Sequence, residues 1–116
     1  TKIRKSLLIK HTIKDIGLSK EHNVDCVEIH TGKISNIIKA KKKYANELNR
    51  IKKCSILANK LNIEVHAGHG LDYKTTKILN KIKEIEEFNI GHFIIGESIF
   101  FGLSSVIKKF KRIINN

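Results

Sequence analysis

The segment "NIEVHAGHGLDYKTTKI", residues 62 to 78, contains the pattern that most clearly indicates the fold class. It begins as a short run with β-branched residues and then presents two histidines and two glycines. It continues directly into a stretch with the length and spacing of a helix. This order predicts a strand, a glycine-containing turn and a helix, which together form one β/α unit.

The same alternation recurs along the whole chain. Strand-like runs are predicted at "SLLI" (6–9), "VDCVEIHTG" (24–32), "IEVHAGHG" (63–70) and "NIGHFIIG" (89–96). Helical segments are predicted at 13–23, about 48–61, 73–88 and 103–114, the third with Ile78, Leu79, Ile82 and Ile85 on one face. A β-α-β-α-β-α-β-α order favours a parallel sheet with helical crossovers. The fold class is therefore α/β, either a doubly wound sheet or part of a (β/α) barrel.

Composition indicates one small globular unit. The chain has 116 residues, of which 41% are hydrophobic. Cys26 and Cys54 stand far apart, so we expect two reduced packing residues and not a zinc or disulfide framework. The sequence contains neither an apolar run of 18 residues nor a secretory signal pattern. A cytoplasmic location is therefore expected.

The chain is strongly basic. Its 23 Lys and Arg against 11 Asp and Glu give a net charge of +12, which suits a nucleic acid, an anionic surface or phosphorylated substrates. The excess is mostly lysine, however, and "KAKKKY" (39–44) is the only dense basic run. Because arginines and aromatic residues are not interleaved with it, nucleic acid is not the expected partner.

The residues that could take part in catalysis or binding lie where the predicted strands end. Period-two alternation places Glu28 and His30 on one face near the end of the second strand. The third strand ends in His69 and Gly70, and Gly91 and His92 belong to the fourth. In parallel α/β folds, ligands bind at the carboxyl ends of strands, so these residues are the candidate site.

The residue types suit the handling of a phosphate and of protons. Glycines allow a ligand close to the backbone, and N–H groups at a helix start bind anions. A histidine there can donate or accept a proton near neutral pH. Other readings stay open: His66 and His69 as a metal pair, the glycines as ordinary turn residues, and Glu28 as the partner of a lysine. His11, His22 and His30 are expected in surface or scaffold roles.

Three segments carry a resemblance to a known family. These are "VEIHTG" (27–32), "AGHGLDY" (67–73) and "FNIGHFIIGESIFFGL" (88–103), in order and suitably spaced. With the helices between them, the chain from about Ser6 onward resembles the pyridoxine 5′-phosphate synthase family. The resemblance implies a (β/α)8 TIM barrel, of which residues 1–116 would be the carboxyl-terminal half of a single domain, strands five to eight. The family's first half, with a general base and substrate-binding arginines, has no match here.

The resemblance also implies roles for individual residues. Glu28 matches the glutamate that stabilises the transition state, and His69 matches the proton donor. Gly70, Gly91 and His92 match groups that bind 3-amino-2-oxopropyl phosphate. The implied reaction condenses that amine with 1-deoxy-D-xylulose 5-phosphate, without a metal or an organic cofactor. Small phosphorylated molecules would be the partners, in a homo-oligomer that does not involve a membrane.

Two positions depart from the family pattern. Lys10 stands where the family often has an acidic residue, and Glu97 stands where many relatives have arginine. Two alternative hypotheses stay open beside the enzyme: a truncated, non-catalytic basic half barrel that binds phosphate or RNA, and a fragment of a split reading frame without function. On every reading, we expect these 116 residues to be inactive alone.

Overall fold

Four parallel strands form one sheet in the order β1-β2-β3-β4 in the computed structural model, which describes residues 2–116. The strands are β1 (Ser6–Ile9), β2 (Cys26–His30), β3 (Glu64–Gly68) and β4 (Ile85–Asn89). The helices are α1 (Ile13–Glu21), α2 (Gly32–Lys39), α3 (Ala45–Lys60), α4 (Tyr73–Leu79), α5 (His92–Phe101) and α6 (Leu103–Asn115). This is the predicted α/β class with sequential parallel strands, and it corresponds to half of a TIM barrel.

Short polar side chains fix where several helices begin and end. Thr12 caps α1 by accepting a hydrogen bond from the Asp15 N–H at 3.1 Å, and Asp72 caps α4 through the Thr75 N–H at 2.8 Å. Asn23 and Asn62 follow α1 and α3 with φ of 51° and 58°. Asparagine tolerates this left-handed conformation, so both residues end a helix.

The hydrophobic core lies between the helices and one face of the sheet. Its largest fully buried members come from two strands and four helices: Ile16, Val27, Ile29, Ile34, Ile51, Val65 and Leu79. Full burial of each such side chain contributes about 1.5–3 kcal/mol. Because strand side chains alternate, the opposite face carries Glu28, His30 and His66. The fold therefore separates an apolar outer layer from a polar inner face.

The last β/α unit differs from the sequence prediction. Helix α4 ends at Leu79 and not at Phe88, and the fourth strand occupies Ile85–Asn89 and not residues 89–96. The apolar run after Gly91 is helical, in α5. The spacing of Ile82 and Ile85 after Leu79 imitates a helical face, although Ile85 is in β4. Helix α2 was also not predicted, because it lies inside a polar stretch.

An irregularity between β3 and β4 sets the register at the end of the sheet. Val65 pairs with Ile85, but the next residue of β3, His66, pairs with Glu87. The shift places Asn89 opposite Gly68. The carboxyl end of β4 is thereby brought level with the end of β3.

Two other expectations concern the chain as a whole. Cys26 and Cys54 are free and buried, as predicted. Burial raises the pKa of the Cys54 thiol. Within residues 2–116, none of the helices combines the length and apolar character needed to cross a membrane.

Candidate active site

The candidate residues stand on or just after the ends of β2, β3 and β4. Glu28 and His30 are on the inner face of β2, and His69 and Gly70 directly follow β3. Gly91 and His92 follow β4 by two and three residues, at the start of α5. The correction to the fourth strand therefore moves the strand but leaves Gly91 and His92 beyond its carboxyl end.

The carboxylate of Glu28 reaches across β3 to β4. Its Oε2 accepts a hydrogen bond from Asn89 Nδ2 at 2.8 Å. A Cβ added to Gly68 would lie 2.7 Å from the carboxyl carbon of Glu28 and closer still to Oε1. Only glycine leaves room for the carboxylate in this position, so Gly68 and Asn89 together fix its orientation.

His69 is held in a backbone conformation that non-glycine residues rarely adopt. Its φ is 83°, which costs of order 1–3 kcal/mol unless the surroundings enforce it. The buried hydroxyl of Thr31 donates to the carbonyl oxygens of Gly68 and His69, both at 2.8 Å. The Thr31 N–H also donates to the Gly68 carbonyl at 2.8 Å. Thr31 therefore clamps the turn that presents His69.

The imidazole of His69 stacks on that of His30. The ring centroids are 4.2 Å apart and the ring planes differ by 25°. The Gly32 N–H approaches His30 Nδ1 at 3.4 Å, and a Cβ at Gly32 would lie within 3.0 Å of both rings. Since His30 shares its strand face with Glu28, the carboxylate and the stacked imidazoles belong to the same side of the sheet end.

A cleft of about 470 Å³ opens beside these residues. Its lining includes four of the sequence-predicted residues, namely His69, Gly70, Gly91 and His92. Glu28 is not part of the lining, but Asn89, which binds its carboxylate, is. The candidate residues that follow β3 and β4 therefore line the cleft, and Asn89 connects it to Glu28.

Two of the three glycines that line the cleft, Gly70 and Gly91, differ in their surroundings. Gly70 has φ of 72°, and a Cβ there would lie 3.3 Å from the Ser35 Cβ, so its backbone is closely covered. Gly91 is the N-cap of α5, and apart from its chain neighbours no atom of residues 2–116 lies within 4 Å of a Cβ placed on it. The first N–H groups of a helix lack intrahelical acceptors, so this end of α5 offers donors to an anion.

Charged side chains of both signs line the cleft. Lys39, at the end of α2, is one of them, and Glu97 of α5 is another. Glu97, which stands where many relatives of the resembled family have arginine, places a negative charge here. Lys39 provides a compensating positive charge that its position in the sequence did not reveal.

The remaining histidines lie elsewhere. His66 is buried on the inner face, with Nε2 2.7 Å from Glu64 Oε1 and Nδ1 3.6 Å from Glu87 Oε1. The ligand atoms of these three residues all lie within 4.8 Å of one another. Hydrogen bonds from His66 and Arg4 lower the pKa of Glu64. His11 pairs with the buried Glu47, and His22 is the C-cap of α1.

Sequence reasoning missed two supporting residues, Asn89, which holds Glu28, and Thr31, which clamps the His69 turn. His30 was placed beside Glu28 but expected in a surface or scaffold role, and its ring stacks on His69. Strict period-two alternation along β4 would place Asn89 on the same face as the core residue Ile85, and only the register shift after Ile85 turns Asn89 to the inner face. The Thr31 contacts depend on tertiary structure, and we find no sequence signal for them.

Four parallel strands in sequential order, with polar residues at their carboxyl ends, are the arrangement of half of a (β/α)8 barrel. A profile of the family described as "Pyridoxal phosphate biosynthesis protein PdxJ" matches residues 1–116. The chain belongs to this family.

Similar proteins agree with this assignment. The chain is 66% identical to the pyridoxine 5′-phosphate synthase of Pelagibacter ubique (strain HTCC1062) over 113 residues, which are 97% of this chain and 47% of that protein. It is 45% identical to the pyridoxine 5′-phosphate synthase of Zymomonas mobilis, with 94% of this chain and 42% of that protein covered. The chain thus spans about half the length of the curated relatives it matches.

Proposed function

We propose that residues 1–116 form the carboxyl-terminal half of a pyridoxine 5′-phosphate synthase barrel. The reaction would condense 3-amino-2-oxopropyl phosphate with 1-deoxy-D-xylulose 5-phosphate, release phosphate and water, and close the pyridine ring. The observation that carries the proposal is the Glu28 carboxylate, held over Gly68 by Asn89 beside the stacked His30 and His69. These residues belong to the segments that resemble the family.

Glu28 acts as the transition-state stabiliser in this proposal. Its orientation is fixed before substrate arrives, because Asn89 binds one oxygen and Gly68 leaves space for the other. A preorganised charge stabilises developing positive charge without the cost of reorienting during the reaction. Condensation of an amine with a ketone develops positive charge on nitrogen, which suits a nearby carboxylate.

His69 acts as the proton donor. Its ring is exposed at the cleft, and the clamp by Thr31 together with the stack on His30 restricts where the ring points. Loss of water or phosphate requires a proton on the departing oxygen, and a positioned imidazole can supply it at neutral pH. Proton transfers of this kind need only the carboxylate and imidazole side chains.

The phosphate of 3-amino-2-oxopropyl phosphate would bind in the cleft at Gly70, Gly91 and His92. Gly91 and His92 begin α5, so the helix start supplies N–H donors and a favourable dipole. Lys39 supplies a full positive charge. This agrees with the general placement of barrel phosphate sites after strands seven and eight.

The direct test is a chimaeric enzyme that joins the amino-terminal segment of the Pelagibacter ubique relative to residues 1–116. The 66% identity makes the contacts between the two parts compatible. We expect this chimaera to form pyridoxine 5′-phosphate from the two phosphorylated substrates. A folded chimaera that binds both substrates and forms no product would contradict the proposal. We propose phosphorylated small molecules and further copies of this chain as its partners.

The second candidate is a half barrel that binds phosphate, or RNA, without catalysis. It is favoured by the net charge of +12 and by the start of α5, whose N–H groups face the cleft at Gly91 and His92. The chimaera distinguishes the two candidate functions, since only the first predicts turnover that depends on His69.

A further inference from the structure

A second cavity lies at the ends of β1 and β2. Its volume is about 270 Å³, and its lining combines three cationic side chains, two histidines and a threonine: Lys10, His11, Thr12, His30, Lys33 and Arg50. Apart from His30, none of these residues belongs to the site proposed above. The size suits a group of few atoms and is below the usual range for drug-sized ligands.

The cations exceed the negative charge that they surround. Glu47 is buried next to the cavity, where its Oε2 lies 3.1 Å from Lys33 Nζ and 3.6 Å from Arg50 Nη1. Its Oε1 contacts His11 Nε2. Lys33, Arg50 and Lys10 bring three positive charges against this one carboxylate, which leaves an excess of two. Lys33 and Arg50 keep more than half of their side-chain surface exposed, so they remain available to a ligand.

His11 adds a polar atom in need of a partner. Its Nδ1 is buried, and within residues 2–116 it has no hydrogen-bond partner. A buried polar atom without a partner is costly, and a phosphate group, which offers acceptor oxygens and, as the monoanion, an O–H donor, can satisfy it in either role. His11 therefore favours occupation of the cavity by an acceptor-rich group.

We propose that this cavity is a second anion site that binds the phosphate group of a small molecule. Ammonium and guanidinium groups form charge-assisted hydrogen bonds to phosphate oxygens, and Arg50 can do so with two nitrogens. The concave shape and small volume favour a single phosphate group over a nucleic-acid backbone. His30 lines this cavity and stacks on His69, so phosphates in the two cavities would flank the His30–His69 pair.

The test is a titration of the ¹⁵N-labelled 116-residue chain with inorganic phosphate and, separately, with glycerol 3-phosphate. Saturable amide shifts are expected at Lys10–Thr12 and at Lys33. Shifts at Gly70, Gly91 and His92 report the other cleft, so failure of one site is distinguishable from failure of the other. Tighter binding of glycerol 3-phosphate would identify an organic monoester as the ligand, and equal binding would identify free phosphate.

Lys10→Gln should weaken binding at the second cavity by about 2- to 5-fold, as expected for the loss of one partly screened charge. Lys10 forms no ion pair within residues 2–116, so its replacement leaves Glu47 compensated. Lys14→Gln, on the exposed side of α1, is the matched control and should change nothing. Absence of saturable shifts at Lys10–Thr12 and Lys33, or equal loss in both variants, would overturn the proposal.

Equilibrium dialysis with ³²P-phosphate gives a second measurement that does not depend on spectral quality. The chain should bind phosphate at the second cavity, and a Lys10→Gln, Arg50→Gln double variant should lose that component. Retention of all binding by the double variant would also overturn the proposal.

Discussion

Asn89 donates a hydrogen bond of 2.8 Å to the carboxylate of Glu28, across the strand that lies between them. Replacing Asn89 with alanine in the chimaeric enzyme should lower kcat by about 10- to 100-fold, because hydrogen bonds to charged groups are worth roughly 1.5–3 kcal/mol. Asn46→Ala, an exposed position in α3, serves as the control. Steady-state kinetics with unchanged kcat in Asn89→Ala would show that Glu28 does not depend on this contact.

Gly68 and Gly17 form a matched pair for a stability test. Alanine at Gly68 would displace the Glu28 carboxyl group, which is the end of a flexible side chain, so we expect a loss of no more than about 1 kcal/mol in unfolding free energy. Within residues 2–116, a Cβ at Gly17 meets no non-neighbouring atom, and Gly17 lies inside α1. Alanine there should stabilise by about 0.5–1 kcal/mol. Urea denaturation measures both, and a gain at Gly68→Ala as large as that at Gly17→Ala would be inconsistent with the observed packing.

Substitutions of His69 and Gly91 should change different kinetic parameters of the chimaera. His69→Asn should lower kcat by about 10²–10⁴-fold if the imidazole is a general acid. Asparagine tolerates the positive φ of this position, so the turn should survive. Gly91→Leu should mainly raise KM, because its side chain would project into the cleft. An unchanged kcat in His69→Asn would remove the proton-donor role.

Glu64 should make the stability of the chain sensitive to acid. Hydrogen bonds from His66 and Arg4 lower the pKa of Glu64 in the folded state. The stabilisation of the folded state by the ionised Glu64 carboxylate is therefore complete above the unfolded-state pKa, about 4.3. It is lost as the pH falls through the lower folded-state pKa. The unfolding free energy of the wild type should fall more steeply below about pH 4.3 than that of Glu64→Gln. Glu86→Gln, an exposed carboxylate on β4, should behave as the wild type does.

The 116-residue chain alone should associate. β1 and β4 each have one unpaired edge within the sheet of residues 2–116, and large apolar side chains are exposed on β1, α5 and α6, including Leu8, Ile99 and Leu103. Open strand edges and apolar patches favour pairing with further copies. Sedimentation velocity should show concentration-dependent oligomers, which Leu8→Lys with Ile99→Lys should reduce. A monomer at all concentrations would disagree with this expectation.

The alternation of strands and helices and the residues at the strand ends were predicted because both follow from local patterns, whereas the sequential order of the strands in the sheet was implied only by the family resemblance. The alternation around Glu28 and the glycines around His69 are visible in single segments. The last unit was predicted wrongly because Ile78, Leu79, Ile82 and Ile85 are spaced as in a helix. The inner face of β4 also carries Glu87 and Asn89, which are not typical of a buried strand. The clamp by Thr31 depends on partners 37 and 38 residues away, which no local pattern specifies.

The most direct measurement of the central claim is pyridoxine 5′-phosphate formation by three samples: the 116-residue chain alone, the chimaera, and the His69→Asn chimaera. We expect turnover by the chimaera, a large loss in His69→Asn, and none by the 116 residues alone, because the family resemblance implies that the general base and the second-substrate arginines belong to the other half. Product formation by the 116-residue chain alone would contradict the proposed division of the site between two halves of a barrel. A folded chimaera without turnover would contradict the proposed function itself.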